Sequence, residues 1–245
     1  MEGIPAPTPP LEKPTSGLAR LTGTFVSPVR TFDEIARRPT WLAPLLVWTV
    51  LSVALWGILI PRADWEEVIR DRFEKKGQAL SPDRLERIVE RQRQFAWLYY
   101  VVAAAGPALI GLFLSALFWL AFKAFGWELA FRQSFGVTAY AFVPGAVLGS
   151  LLTFPLLLRL ERIDPSRVGD LVKSNPAFLV DGEEAPALRS LLQSLDVFSF
   201  WTLALLVVGY AAAAKASRGR SAGLILTLWA LYVLGKTGWV ALTGA

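Results

Sequence analysis

Residues Leu98–Phe122 read LYYVVAAAGPALIGLFLSALFWLAF, without one charged side chain. A helix rises ~1.5 Å per residue and the hydrocarbon core of a bilayer is ~30 Å thick, so roughly twenty such residues cross it. Working outward, four more stretches meet the same demand: Trp41–Pro61, Phe135–Leu158, Phe198–Ala214 and Ala222–Leu242, the last carrying a single charge at Lys236. The fold class this predicts is all-α, a polytopic membrane helix bundle with five transmembrane helices (41–61, 98–122, 135–158, 198–214 and 222–242) plus short amphipathic interfacial helices.

Composition agrees. The chain has 245 residues, 54% hydrophobic and 18% charged, with a mean hydropathy of +0.45. Soluble domains run nearer ~45–50% apolar and ~25% charged. There is no Cys and no His. That excludes disulfides, thiolate nucleophiles, Cys or His metal sites, histidine-ligated haem and any Ser-His-Asp triad. No phosphate-cradling loop and no pair of catalytic carboxylates stands out, so no catalytic, cofactor-binding or metal residue is nominated and no cofactor is expected.

Residues 1–16 hold Pro5, Pro7, Pro9, Pro10 and Pro14, a composition that resists helix formation and predicts a disordered tail. It lacks the basic start and apolar core of a signal peptide. From residue 17 to 40 the pattern changes. Leu18, Leu21 and Phe25, then Val29, Phe32, Ile35 and Ala36 recur at helical spacing, with Ser27 and Pro28 placed to open the second helix. Arg30, Arg37 and Arg38 flank the stripe. Such a segment either lies in the headgroup layer or caps the bundle.

The connections 62–97 and 159–197 are too polar for lipid. Arg62–Gln94 carries nine Lys/Arg and eight Asp/Glu. Ser81 and Pro82 open a helix there, with Leu85, Ile88 and Val89 as its stripe and Asp83 and Arg87 as an i,i+4 pair. Pro186 opens another, with Leu188, Leu191, Leu192 and Leu195. Glu128 and Arg132, in the turn between spans two and three, are spaced to pair at the surface.

Within the spans, Pro107 and Pro144 each remove a backbone donor, which a bundle tolerates where neighbours re-satisfy the turn. Gly145 and Gly149 have the spacing that lets two backbones approach. The third span is therefore expected to be the kinked, central packing helix. Trp41, Trp56, Trp97, Trp119, Trp127, Trp201 and Trp239 sit near span ends, as an interfacial aromatic belt does. Lys236 is the one deep ionisable residue. It reads as a lipid-headgroup or substrate contact, or as a lysine snorkelling to the interface. Arg37, Arg38, Trp41 and Trp201 join it as candidate lipid or interface contacts. The pI near 9.7 fits attraction to anionic headgroups rather than to nucleic acid.

Two stretches carry a family likeness: Phe25-Val26-Ser27-Pro28-Val29-Arg30-Thr31-Phe32-Asp33-Glu34-Ile35-Ala36-Arg37-Arg38-Pro39-Thr40-Trp41, and Leu195-Asp196-Val197-Phe198-Ser199-Phe200-Trp201 leading through an apolar span to Lys215-Ala216-Ser217. With Tyr140-Ala141-Phe142-Val143-Pro144 they resemble the Yip family (Ypt-interacting-protein domain), in its prokaryotic form, over roughly Gly17 to Leu242. The resemblance implies a five-helix membrane domain with a cytoplasmic N-terminus. Eukaryotic members work with small Rab-type GTPases, a partner not expected for a prokaryotic chain, and the family supplies no catalytic residues.

Charge speaks to orientation in two ways. The side shared by the N-terminal segment, Lys123–Arg132 and Lys215–Arg220 holds ten Lys/Arg and five acids; the other side holds fourteen and fifteen. The raw count of bases favours the second side. The first has its bases in short, acid-poor connections, and together with the resemblance this predicts a cytoplasmic N-terminus in a bacterial inner membrane. The function expected is a non-enzymatic scaffold that organises the membrane by binding lipids, a membrane-protein partner or a second copy. The alternative is a small transporter or permease subunit that uses the kinked third span.

Overall fold

The structure, a computed structural model, describes residues 16–74, 77–180, 182 and 184–243. The proline-rich tail expected over 1–16 lies outside these except for Ser16, whose hydroxyl caps the first helix by accepting from the Ala19 N–H at 3.2 Å. In chain order the helices are α1 (Gly17–Val26), α2 (Pro28–Arg37), α3 (Leu42–Arg62), α4 (Trp65–Glu74), α5 (Pro82–Gln94), α6 (Trp97–Ala124), α7 (Phe131–Ala141), α8 (Val143–Leu158), α9 (Pro186–Gln193), α10 (Val197–Ala213) and α11 (Arg218–Thr243). Two 3-10 turns, Pro165–Asp170 and Pro176–Leu179, precede α9. Among the described residues the chain is all-α, with one isolated bridge between Ala63 and Ile163.

Four spans are long and apolar enough to cross a bilayer: α3, α6, the joined pair α7–α8, and α11. The pair α9–α10 makes a fifth if counted as one span, bent by 49°. The sharp bend thus belongs to the fourth span, at Ser194–Asp196. The break at Phe142, ahead of Pro144, leaves α7 and α8 running on as one span over 28 residues. Asp196 explains the fourth-span restart. Its carboxylate accepts from the Phe198 and Ser199 N–H groups at 2.9 and 3.1 Å and from the Ser174 hydroxyl, capping α10. Ser27 and Ser81 occupy N-cap positions without a side-chain cap bond. The expected pairs Asp83–Arg87 and Glu128–Arg132 do not form.

The span helices are apolar all round, so each buries only a narrow stripe and leaves the rest for lipid. On α6 the stripe is Ala103, Gly111, Ser115, Phe118 and Phe122, while Leu109, Ile110, Phe113 and Leu120 face outward. Burial concentrates toward the face that carries α2 and the starts of α3 and α7. There Phe32 and Ile35 of α2, Val137 and Tyr140 of α7, Leu206 and Tyr210 of α10 and Phe122 of α6 form one core. Every residue of α7 from Ser134 to Ala141 is buried. The third span is central over this half only. Further on, Leu151, Leu152 and Leu158 of α8 are exposed, and α10 shares the centre. The reason is α2, which packs against both α7 and α10 there.

The opposite face has its own small core, where Trp65 and Ile69 of α4 pack on Leu85 and Val89 of α5. Tyr99 ties it to the bundle by stacking on Trp56 and Trp65 at 5.0 and 5.5 Å. The end of α3 and the chain after α8 are bound together as well. Asp64 N–H donates to Ile163 O at 3.0 Å, Ile163 N–H to Arg62 O at 2.9 Å, and Arg162 pairs with the Asp64 carboxylate at 3.0 Å.

Candidate functional site

The decapeptide of α1 contains one charged residue, Arg20, and the fold turns it inward to 3% exposure. Its Nη1 donates to Arg38 O at 2.8 Å and to Thr40 Oγ1 at 2.9 Å, and Nη2 to Glu34 Oε1 at 3.4 Å. Thr40 Oγ1 in turn lies 3.3 Å from the Tyr140 hydroxyl. One guanidinium therefore joins α1 to the exit of α2 and the entry of α3. A charge so deeply buried is tolerated because it is paired and hydrogen-bonded. Gln133 adds a second tie: its Nε2 donates to Ala36 O at 2.8 Å while its Oε1 accepts from the Ala130 N–H at 3.0 Å.

With Arg20 inside, the outward face of α1 carries no charge. Leu18 is 76% and Val26 82% exposed, with Ala19 and Thr22 between them. The outward face of α2 is the reverse, with Arg30, Arg37 and Arg38 exposed. Gly17 faces Ala43, which sets α1 level with the first turn of α3. An uncharged exposed face level with the start of a span matches lipid, and arginines above it match headgroups. The apolar stripe of α2 (Phe32, Ile35, Ala36) is turned into the bundle, as a cap requires.

Beneath the hairpin lies a knot of hydroxyls. Ser134 Oγ and Thr138 Oγ1 stand 2.6 and 2.8 Å from the Tyr210 hydroxyl, Ser134 donates to Ser115 O at 2.7 Å, and Ser115 donates to Gly111 O at 2.6 Å. The Tyr210 ring stacks on Phe122 at 4.9 Å. Every hydroxyl here has a partner inside the bundle, so the knot joins α6, α7 and α10 and offers nothing to a substrate.

The residues singled out from sequence fall in different places. Gly145 packs on α10, where a methyl would stand 3.2 Å from Thr202 Oγ1; Gly149 has nothing within 4 Å. Pro107 is half-buried on α6, one residue from the open Gly106. Trp41 is exposed and lies 5.6 Å from Phe135, and Trp201 meets Phe25 of α1 edge-on at 6.3 Å. Lys236 is half-buried on α11 with no ion pair among the described residues. Arg37, Arg38 and Trp41 thus gather at the hairpin; Trp201 touches its far end, and Lys236 stands apart. Sequence reasoning passed over Arg20, Gln133 and Tyr210. The available signal for Arg20 was its isolation as the sole charge in an otherwise uncharged helix.

A cleft of about 770 Å³ opens on the same face between two helix ends, lined by Lys123, Trp127, Glu128, Gln133 and Lys215 among others. Both ends close with the same left-handed cap. Trp127 N–H bonds to Phe122 O at 3.1 Å after α6, and Ala216 N–H to Ala211 O at 3.0 Å after α10. At the left-handed position α6 has Gly126 (φ 83°) and α10 has Lys215 (φ 51°). A side chain there costs about 1 kcal/mol relative to glycine. Neither lysine forms an ion pair among the described residues; Lys123 Nζ sits 5.1 Å from the Trp119 ring centroid. No group of acidic residues that could hold a metal ion is present among the described residues.

Against known families, the Yip1 domain matches residues 22–240. No curated protein and no solved structure matches the chain.

Proposed function

The chain belongs to the Yip1-domain family, and on that premise we propose that this multi-pass integral membrane protein is a non-enzymatic scaffold that organises the membrane by binding lipids and a membrane partner. The observation that carries this reading is the α1–α2 hairpin. Its two helices are held together through Arg20, it is tied to the bundle through Gln133 and the Thr40–Tyr140 contact, and it exposes an uncharged face on α1 beside Arg30, Arg37 and Arg38. A rigid platform of this kind suits recognition at a membrane surface. The transporter alternative wants a polar path between the helices. The Ser134, Thr138 and Tyr210 hydroxyls are engaged with one another, and Asp196 at the bend of the fourth span is engaged as a helix cap.

Photo-crosslinking from positions 30 and 37 in native membranes tests the proposal. A defined protein or lipid adduct from these positions, absent from position 113 on the outward face of α6, supports it. The same adducts from all three positions, or none from any, overturn it.

A further inference from the structure

We propose that the cleft between the ends of α6 and α10 binds the phosphate of an anionic phospholipid, with Lys215 and Lys123 as its cationic contacts. The two faces of the molecule treat their charges differently. On the far face bases are interleaved with acids, nine Lys/Arg with eight Asp/Glu over Arg62–Gln94, and four arginines there are paired: Arg70 with Glu66, Arg162 with Asp64, Arg167 with Asp164 and Arg189 with Asp170. Lys123 and Lys215 line the cleft and form no ion pair among the described residues, Glu128 is the one acid in the lining, and the neighbouring stretches Lys123–Arg132 and Lys215–Arg220 hold five Lys/Arg against that single acid. Cations left unmatched beside a membrane call for an external anion.

Lys215 sharpens the argument. The cap that ends α6 shows that this turn is made at low cost by glycine, and α10 makes it with lysine in the left-handed conformation. Strain of this kind persists where the side chain serves something other than stability. The position is level with the ends of α6, α7 and α10, so the cleft stands at the headgroup boundary. Trp127, an amphipathic ring of the sort that settles there, lines it, and Trp119 lies beneath the Lys123 ammonium. The inference does not depend on the hairpin capturing a partner, and the two stand or fall on different measurements.

The test is thermal unfolding of the full chain in neutral detergent, titrated with phosphatidylglycerol, phosphatidylcholine or inorganic phosphate. Phosphatidylglycerol is expected to raise the midpoint where phosphatidylcholine and phosphate do not. Lys215→Gly is expected to raise the lipid-free midpoint by about 2–4 °C while weakening the phosphatidylglycerol response about fivefold, the worth of one lysine near an anionic surface. Lys123→Gln should weaken that response without raising the lipid-free midpoint, and Arg87→Gln, on the exposed side of α5 at the far face, should change neither. An undiminished response in Lys215→Gly, a lower lipid-free midpoint in that variant, or an equal response to inorganic phosphate would overturn the proposal.

Discussion

The Phe32 ring of α2 packs directly against Gly209 of α10. A methyl on Gly209 would stand 2.8 Å from Phe32 Cδ1 and 2.5 Å from Val137 Cγ1. This contact lets the hairpin sit in the bundle instead of on it, because only a residue without a side chain admits a phenyl ring so close to a helix backbone.

Gly209→Ala is therefore expected to destabilise the protein by about 1–3 kcal/mol through overpacking. Gly149→Ala, at an open position in a helix, should be neutral or gain up to about 1 kcal/mol from helix propensity. Midpoints of thermal unfolding in detergent compare the two. Equal effects would mean that α2 is not seated where the structure has it.

Arg20→Ala removes bonds to Arg38 O and Thr40 at once. Bonds from a charged donor are worth about 1.5–3 kcal/mol each, so the loss should be several-fold larger than for Arg37→Ala, whose side chain is exposed. Limited tryptic cleavage after Arg30, inside α2, reports the loosening directly. Arg20→Ala should be cut faster and Arg37→Ala at the rate of the unaltered chain.

Tyr210→Phe keeps the stack on Phe122 and deletes the hydroxyl that Ser134 and Thr138 share. The expected cost is about 1 kcal/mol, against about 3–5 kcal/mol for Tyr210→Ala, which also opens a cavity. A phenylalanine variant as damaged as the alanine one would show that the hydroxyl, not the ring, holds the three helices together.

Asp64 links pH to the far face. The Glu67 N–H and the Arg162 guanidinium hold its carboxyl below the ordinary value of 3.8. A carboxylate depressed on folding stabilises the fold above its unfolded pKa and loses that contribution as pH falls through the folded one. The unfolding midpoint should fall below about pH 4, and by less in Asp64→Asn, which should already be weaker at neutral pH. A parallel decline in both proteins would assign the acid sensitivity to other groups.

The spans were legible in the sequence because a bilayer imposes a length on every helix that crosses it, and runs such as Leu98–Phe122 meet it without a charge. Which stripe of each span is buried was not legible, since side chains all round the helix are apolar. Gly145 and Gly149 look alike in sequence, yet one packs on Thr202 and the other faces open space. The bend of the fourth span had a signal in Asp196, a capping residue just ahead of an apolar run, outweighed by the more conspicuous Pro144. Lys215 had no signal, because its left-handed backbone is a product of the tertiary turn.

The account rests on α1 lying in lipid with its one charge turned inward. Spin labels at positions 18, 26, 30 and 37 in reconstituted bilayers, read for collision with oxygen against a water-soluble nickel complex, measure this most directly. Positions 18 and 26 should favour oxygen and 30 and 37 the nickel complex. Nickel access at 18 and 26 equal to that at 37 would contradict it.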